Sequence, residues 1–540
     1  MKRIRINPIR SCVILLAAVA LILIVWRISQ DQNGYTEPET AAKKLHIFAT
    51  DFGEKKSFED NWFTGMVEEK FKVDLEWMSV PGGAASEKRK MLLLAGSDYP
   101  EIFMTSFSKY EQFQLGQNGT LLPLNELIEQ FAPNVKKAFQ NNEELRKAAA
   151  SPNGKIYFIP TIDECFHCSY PQKIWMNKMW LDKLDLPAPR TYEELYRTLT
   201  AFKKLDPNGN GAADEIPLSG SSAMYVGNMM GYLMNAFVYY DGENFLQVQN
   251  GKVSFIGNSP EYRQGLRYLR KLYEEGLIDP NIFAQSVNTF TERTNGSPAR
   301  VGAFVANHAG AVIPLTSPLY REYEVLPPLI GPAGKRTTGF KPHKFGSGGF
   351  VITDKATPEQ AEAIIRIIDF LYTEEGTMLA TYGKEGEVWE KAAASLDFNG
   401  NPAKYRLLPA YYTNRIRDSW WNSGQVAMTN RLRESFAVEG DPLDPRNYEY
   451  RLYYETKTKY EPYRPDQFIP PNLPFTTEEL QQVELLRNEI GNYLNDQTVQ
   501  FVLGAKNLDD DWAEYMAGFN KLNVNYYVEL TQRAYDSSNR

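Results

Sequence analysis

The segment Lys44–Thr105, which begins KLHIFATDFG, decides the fold. Lys44–Thr50 is a short apolar run, and Asp51-Phe52-Gly53 closes it with turn chemistry, so it reads as a strand. Ser57–Phe71 reads as a helix. Val73–Val80, VDLEWMSV, reads as a second strand with alternation, broken by Pro81-Gly82-Gly83. Ser86–Ala95 reads as a helix stopped at Gly96, and Ile102–Thr105 as a third strand. The order β-α-β-α-β with short connections predicts an open, largely parallel sheet covered by helices. Ligands of such sheets sit at the carboxyl ends of strands, and Asp51, Phe52, Ser106 and Phe107 fall at two of those ends.

Working outward, NGKIYFIP at Asn153–Pro160 reads as a turn and strand, and KIWMN at Lys173–Asn177 as another strand. Thr191-Tyr192-Glu193-Glu194 is a capping box that opens a helix running to Lys204. Ser221–Phe237 and Pro260–Glu275 read as helices, Val301–Asn307 and Ser347–Thr353 as strands. Pro358–Thr373 carries Ile364, Ile367, Ile368 and Leu371 on one stripe, the pattern of a helix lying on a sheet. A Pro-rich linker at Pro462–Pro474 precedes two or three terminal helices.

The densest chemical signal is Asp206–Leu218, DPNGNGAADEIPL. Asp206, Asn208 and Asn210 place three side-chain oxygens at alternate positions, Gly211 permits the sharp turn, Ala212 offers a carbonyl, and Asp214 and Glu215 close the set. An all-oxygen set of this kind suits calcium, bound structurally. The first half follows the D-x-N-x-N-G spacing of an EF-hand loop, while the twelfth position is Pro217, so the loop is shortened. The competing reading is a solvated Asx/Gly turn with no metal.

Composition narrows the function classes. The 540 residues allow two to four domains, and a net charge of −8 argues against nucleic acid, which needs a basic face. The 32 Tyr, 29 Phe and 9 Trp fill cores first, yet their number also suits a surface that meets sugar rings. Met1–Arg10 is basic and Ser11–Trp26 is uncharged and mostly aliphatic, an export signal. Residues 1–28 are expected to stay as an uncleaved signal anchor, with cleavage near Ser29–Tyr35 as the alternative, and 29–43 to form a tether. Cys165 and Cys168 form a lone C-x-x-C around His167; without a second pair it is no four-ligand zinc site, which leaves a local disulfide or two free thiols.

Several stretches together resemble the family 1 extracellular solute-binding proteins of ABC transporters, in particular the large lipoprotein-like and alginate-oligosaccharide-binding members. They are MLLLAGSDYPEI at Met91–Ile102, NGKIYFIP, WMNKMWLDKLDLPAPRTYEEL at Trp175–Leu195, DPNGNGAADEIPL, KLYEEGLIDP at Lys271–Pro280, SGGFVITDK and YGKEG at Tyr382–Gly386. The lipid-attachment cysteine of many members is absent, because Cys12 precedes the apolar run. The resemblance implies an α/β, two-lobed periplasmic-binding-protein-like fold of class II, with a hinge between lobes and extra C-terminal helices. It implies 44–163 plus 345–395 as the first lobe and 164–344 plus 396–540 as the second. It further implies a monomer, held at the cell membrane by its N-terminal segment, that captures an oligosaccharide between the lobes and delivers it to an ABC permease.

By position, the expected sugar contacts are Asp51, Phe107, Tyr225, Asn307, Trp389, Trp420 and Trp421, with the adjacent indoles the strongest pair. His308 reads as structural; Arg415 and Arg417 could clamp a uronate carboxylate or form surface ion pairs. The rival readings are an exported carbohydrate-active enzyme or a sugar-sensing partner of a membrane kinase. The acidic pairs Asp163-Glu164, Glu193-Glu194 and Glu374-Glu375 lie where caps and solvated faces explain them, and no G-x-S-x-G or H-E-x-x-H motif is present, so no catalytic residue is assigned.

Overall fold

The computed structural model describes residues 42–538 except 54, 97, 225–226, 414–416, 421–422 and 425–426. The expected anchor and almost all of the tether lie outside the described residues. The chain starts with β1 (Lys43–Asp51), α1 (Trp62–Phe71), β2 (Val73–Pro81), α2 (Gly82–Ala95), β3 (Ile102–Thr105) and α3 (Lys109–Gln117), and reaches β4 at Ile159–Asp163. It then builds β5 (Ile174–Asn177), α4 (Tyr192–Lys204), β6 (Ile216–Ser219), α5 (Pro260–Glu274), β7 (Val301–Val305) and β8 (Tyr323–Val325). A return brings β9 (Phe345–Ile352), α6 (Pro358–Leu371) and β10 (Ala427–Met428), after which α7 (Tyr448–Lys459), α8 (Thr477–Leu503) and α9 (Val524–Ser538) follow.

Two large sheets result, one per lobe, beside two two-stranded hairpins. The first has the order β10-β4-β9-β3-β1-β2, the second β8-β5-β7-β6. β1 pairs in parallel with β2 and with β3, as the β-α-β-α-β order predicts, while β9 inserts antiparallel between β3 and β4. The α6 stripe buries Ile364, Ile367, Ile368 and Leu371 against the first sheet, and a Thr357–Gln360 capping box with Pro358 in the first turn fixes its start. The second core gathers α4, α5, α8 and α9 around β6 and β7. The chain passes between the sheets three times, through 164–173, 326–344 and 429–447. Cys165 and Cys168, joined in a disulfide, lie in the first crossing. α8, packed on α5 and α9, also touches α3 of the first lobe.

Two expectations need correction. Trp420 and Ala427–Met428, assigned from the sequence to the second lobe, lie with the first. β10 continues the first sheet beside β4, and Trp420 sits in that sheet's core. Ser221–Phe237 is not one helix: only Met230–Leu233 is α-helical among its described residues. Ser221 Oγ accepts from the Ala223 amide at 3.3 Å, and Asn228 Oδ1 accepts from the Met230 amide at 2.9 Å. Such local side-chain bonds compete with the helical ladder.

Candidate functional site

A cavity of about 620 Å³ opens where β1 and β3 end and α2 begins. Phe52, Ser86, Ser106, Thr161, Asp163 and Ser423 are among the side chains on its wall. Phe52 is 55% exposed, unusual for a phenyl ring in a cavity mouth. It lies over the start of α2, where a Cβ on Gly82 would meet its ring at 3.1 Å, so glycine there lets the ring lie close to the helix. α2 has no side-chain cap and no acidic residue in its first turn, which leaves backbone N–H groups to face the cavity mouth. Thr50 and Thr105 share a hydroxyl bond at 2.7 Å, and Thr161 Oγ1 donates to the Gly348 carbonyl at 3.1 Å. Ser423 Oγ is buried without a hydrogen-bond partner among the described residues. A flat apolar face beside converging hydroxyls and amides is the chemistry that holds a sugar ring.

Three of the seven residues expected to touch sugar are buried in cores. Trp420 is 2% exposed: it packs edge-on against Phe63 and Trp77 and donates its Nε1–H to Thr64 Oγ1 at 2.8 Å. Trp389 is buried and donates to the Gly383 carbonyl at 2.8 Å. Phe107 is buried too, with the Arg89 guanidinium 4.1 Å over its ring. None of these three rings presents a face to the cleft. Asp51 is at the rim, but its carboxylate already accepts from Lys55 Nζ (2.5 Å), the Gly53 amide (2.7 Å) and Ser79 Oγ (3.1 Å). Tyr225, Trp421 and Arg415 lie outside the described residues. Asn307 is half-buried just past β7 in the second lobe. The adjacent His308 lines a second cavity of about 980 Å³ with Tyr411, Tyr412, Arg417 and Tyr448. Tyr411 on its wall packs with Met378 and Tyr382, while His308 and Val312 come from the chain just past β7. Arg417 lies 4.2 Å over the Tyr411 ring and donates to the Tyr411 carbonyl.

In the loop between α4 and β6, hydrogen bonds tie Asp206, Asn208, Asn210, Ala212 and Asp214 into one turn. Asp206 Oδ1 accepts from the amides of Gly209 and Asn210, and Oδ2 from that of Gly211. The side-chain amides of Asn208 and Asn210 both donate to Asp214 Oδ1 at 3.1 Å, and Asn210 Oδ1 accepts from the Ala212 amide. Positive φ at Gly209 (74°) and Gly211 (76°) explains glycine at both bends. Glu215 Oε1 is buried with no hydrogen-bond partner among the described residues. Burial, with Asp206 and Asp214 nearby, pushes its carboxyl above the ordinary range. An orphaned carboxylate oxygen beside two further carboxylates and two amide oxygens fits a hard divalent cation, whose charge would remove that penalty.

The family description "Bacterial extracellular solute-binding protein" matches residues 56–378. The chain belongs to that family. The fructooligosaccharide ABC transporter substrate-binding protein FusA of Streptococcus pneumoniae serotype 4 is 28% identical to this solute-binding protein over 476 residues, 86% of this chain and 84% of that one. The structure of S. pneumoniae FusA with kestose superposes with a TM-score of 0.79 at 26% identity, covering 92% of this chain and 99% of that one. A FusA EF-hand mutant gives 0.78 at 25% identity over 92% and 99% of the two chains. Alginate-binding AlgQ2, solved without calcium ion, shares the fold at a TM-score of 0.65 and 23% identity, covering 92% and 98%.

In this solute-binding protein the three crossings converge on a half-buried cluster of charge. Asp163, at the end of β4, pairs with Arg433 and with His343. Arg433 also faces Glu449, 3.8 Å away, and Glu449 faces His167 at 3.4 Å. Burial pushes the Asp163 carboxyl up, but Arg433 and His343 overcome it and hold the group well below the usual range. Burial likewise opposes ionisation of Glu449, yet His167 and Arg433 bring it to about 2. Burial pushes His308 down to about 3, and its Nδ1 meets the Tyr448 hydroxyl. Lys173 is 1% exposed and donates to the carbonyls of His167 and Tyr170; burial lowers it to about 7. Sequence reading misses this cluster, because its members lie 4 to 286 positions from Asp163 in the chain and meet only in the fold.

Proposed function

We propose that the protein captures an oligosaccharide between its lobes and hands it to an ABC permease at the outer face of the membrane. The observation that carries this reading is Phe52, an exposed ring beside a hydroxyl-lined cavity at the strand ends of the first lobe. The 28% identity to a fructooligosaccharide-binding relative supports it. A ring stacked on Phe52 gives its hydroxyls to Ser86, Ser106 and the free amides of α2, and closure about the three crossings shuts out water. Among the described residues on the cavity wall Asp163 is the one carboxylate, and it is paired with Arg433 and His343, which supports binding without cleavage. Asp206, Asn208, Asn210, Ala212, Asp214 and Glu215 are proposed to hold calcium as a structural brace between α4 and β6. The N-terminal segment is proposed to keep the monomer at the membrane.

The test is a thermal-shift screen of the full-length protein with calcium against neutral and acidic oligosaccharides, kestose included, followed by chromatography of the recovered sugar. A raised melting temperature with intact sugar is the expected result. Shortened sugar would replace the reading by an enzyme.

A further inference from the structure

We infer that the cavity of the first lobe accepts a neutral sugar ring and rejects a uronate. This rests on the oligosaccharide reading above and narrows its ligand. Among the described residues on the cavity wall there is no Lys, Arg or His, and the only charged side chain is the anionic Asp163. The cations nearest the wall point into the protein. Arg89 is 3% exposed and is spent on the Ser106 carbonyl, the Glu111 carboxylate and the Phe107 ring. The Lys55 side chain is 1% exposed and is held by Asp51 and the Phe58 ring. Arg433 lies behind Asp163, bound to it and to the Glu164 carbonyl.

A carboxylate entering here would lose its hydration, meet no guanidinium or ammonium and face Asp163. The uncapped start of α2 is the one element that favours negative charge, and its field decays within the first turn. Its N–H groups serve hydroxyl oxygens equally well. Hydroxyls find Ser86 and Ser106, and the apolar face of a ring finds Phe52. Arg417 lines the other cavity, so a single acidic ring could be housed there. In a homo-oligouronate every ring carries a carboxylate, and one of them must enter the first-lobe cavity.

The experiment is calorimetric titration of the full-length protein with two sets of trisaccharides matched in length: neutral ones, kestose among them, and trigalacturonate and trimannuronate. At least one neutral sugar is expected to bind and neither uronate. F52A, whose side chain supports no core, should weaken the neutral ligand by roughly tenfold without a change in melting temperature. A uronate bound within tenfold of the best neutral sugar overturns the inference and leaves the function intact. Unchanged affinity in F52A also overturns it, because the ring would then sit elsewhere. If neither set binds, the oligosaccharide reading itself fails.

Discussion

The acidic loop after α4 and the crossing point between the lobes both concentrate charge, and they treat it in opposite ways. At the crossing, Asp163 and Glu449 find Arg433, His343 and His167 within the chain. In the loop, Asp206 and Asp214 are answered mainly by backbone and side-chain amides, and Glu215 Oε1 by nothing described. Charge satisfied internally is architecture. Charge left unsatisfied points to a partner from outside. Both kinds of acid look alike in a sequence, and only the neighbours distinguish them.

The largest expected effect comes from breaking the internal pairing. R433M leaves the half-buried Asp163 and Glu449 without their guanidinium and removes the donor to the Glu164 carbonyl. Because both carboxylates keep some contact with solvent, the expected loss is about 3 kcal/mol, the lower end of the cost of breaking a buried pair. A shift of the urea midpoint at unchanged slope would record it. A loss below about 1 kcal/mol, the range of exposed ion pairs, would mean that water already serves these carboxylates, and the contrast would disappear. Next comes removal of the external partner. Calcium at a hundredfold excess over its dissociation constant stabilises by about 2.7 kcal/mol, so EDTA should lower the melting temperature and calcium restore it. A melt indifferent to EDTA would make the loop an ordinary Asx turn.

A smaller effect separates the two regions by pH. His308 is held near 3 while an unfolded histidine titrates near 6.5. Between those values the unfolded chain binds the extra proton, so stability is complete above about 6.5 and falls as the solution is acidified, by roughly 2 kcal/mol at pH 5. Glu449, lowered to about 2, adds its own loss only below the ordinary range of a glutamate, about 4.3. H308Q should therefore flatten the decline between pH 6.5 and 5 and leave the steeper acid limb in place. A wild-type midpoint constant from pH 7 to 5 would show that the imidazole charges freely in the fold.

The same contrast explains what the sequence made legible. The loop is written in consecutive residues, so spacing alone announces its turn; the capping box at Thr191–Glu194 and the β-α-β-α-β order are local in the same sense. The crossing cluster draws on Asp163, His167, His343, Arg433 and Glu449, whose meeting depends on three separate returns of the chain. Aromatic rings showed the limit most clearly. Trp420 sat in a polar, Arg-rich segment and looked exposed, yet β10 pulls it into the core of the first sheet. Phe52, one residue past Asp51, was visible as a strand end. Its exposure depended on Gly82, thirty positions later, and no local pattern announced that proximity.

The smallest change tests the comparison by sign. E215Q removes the one loop charge whose oxygen lies buried and unpartnered. Without calcium, that charge is a cost, raised by burial and by Asp206 and Asp214, so the variant should be more stable than the native protein. The gain should be on the order of 1 kcal/mol, the price of one buried unpaired polar atom. With calcium, the same carboxylate becomes a ligand, and the variant should be less stable because it binds the ion more weakly. Paired melts of both proteins, in EDTA and in calcium, thus predict curves that cross. A turn that never meets metal gives E215Q the same advantage in both buffers. A loop in which Glu215 is simply solvated gives no difference in either.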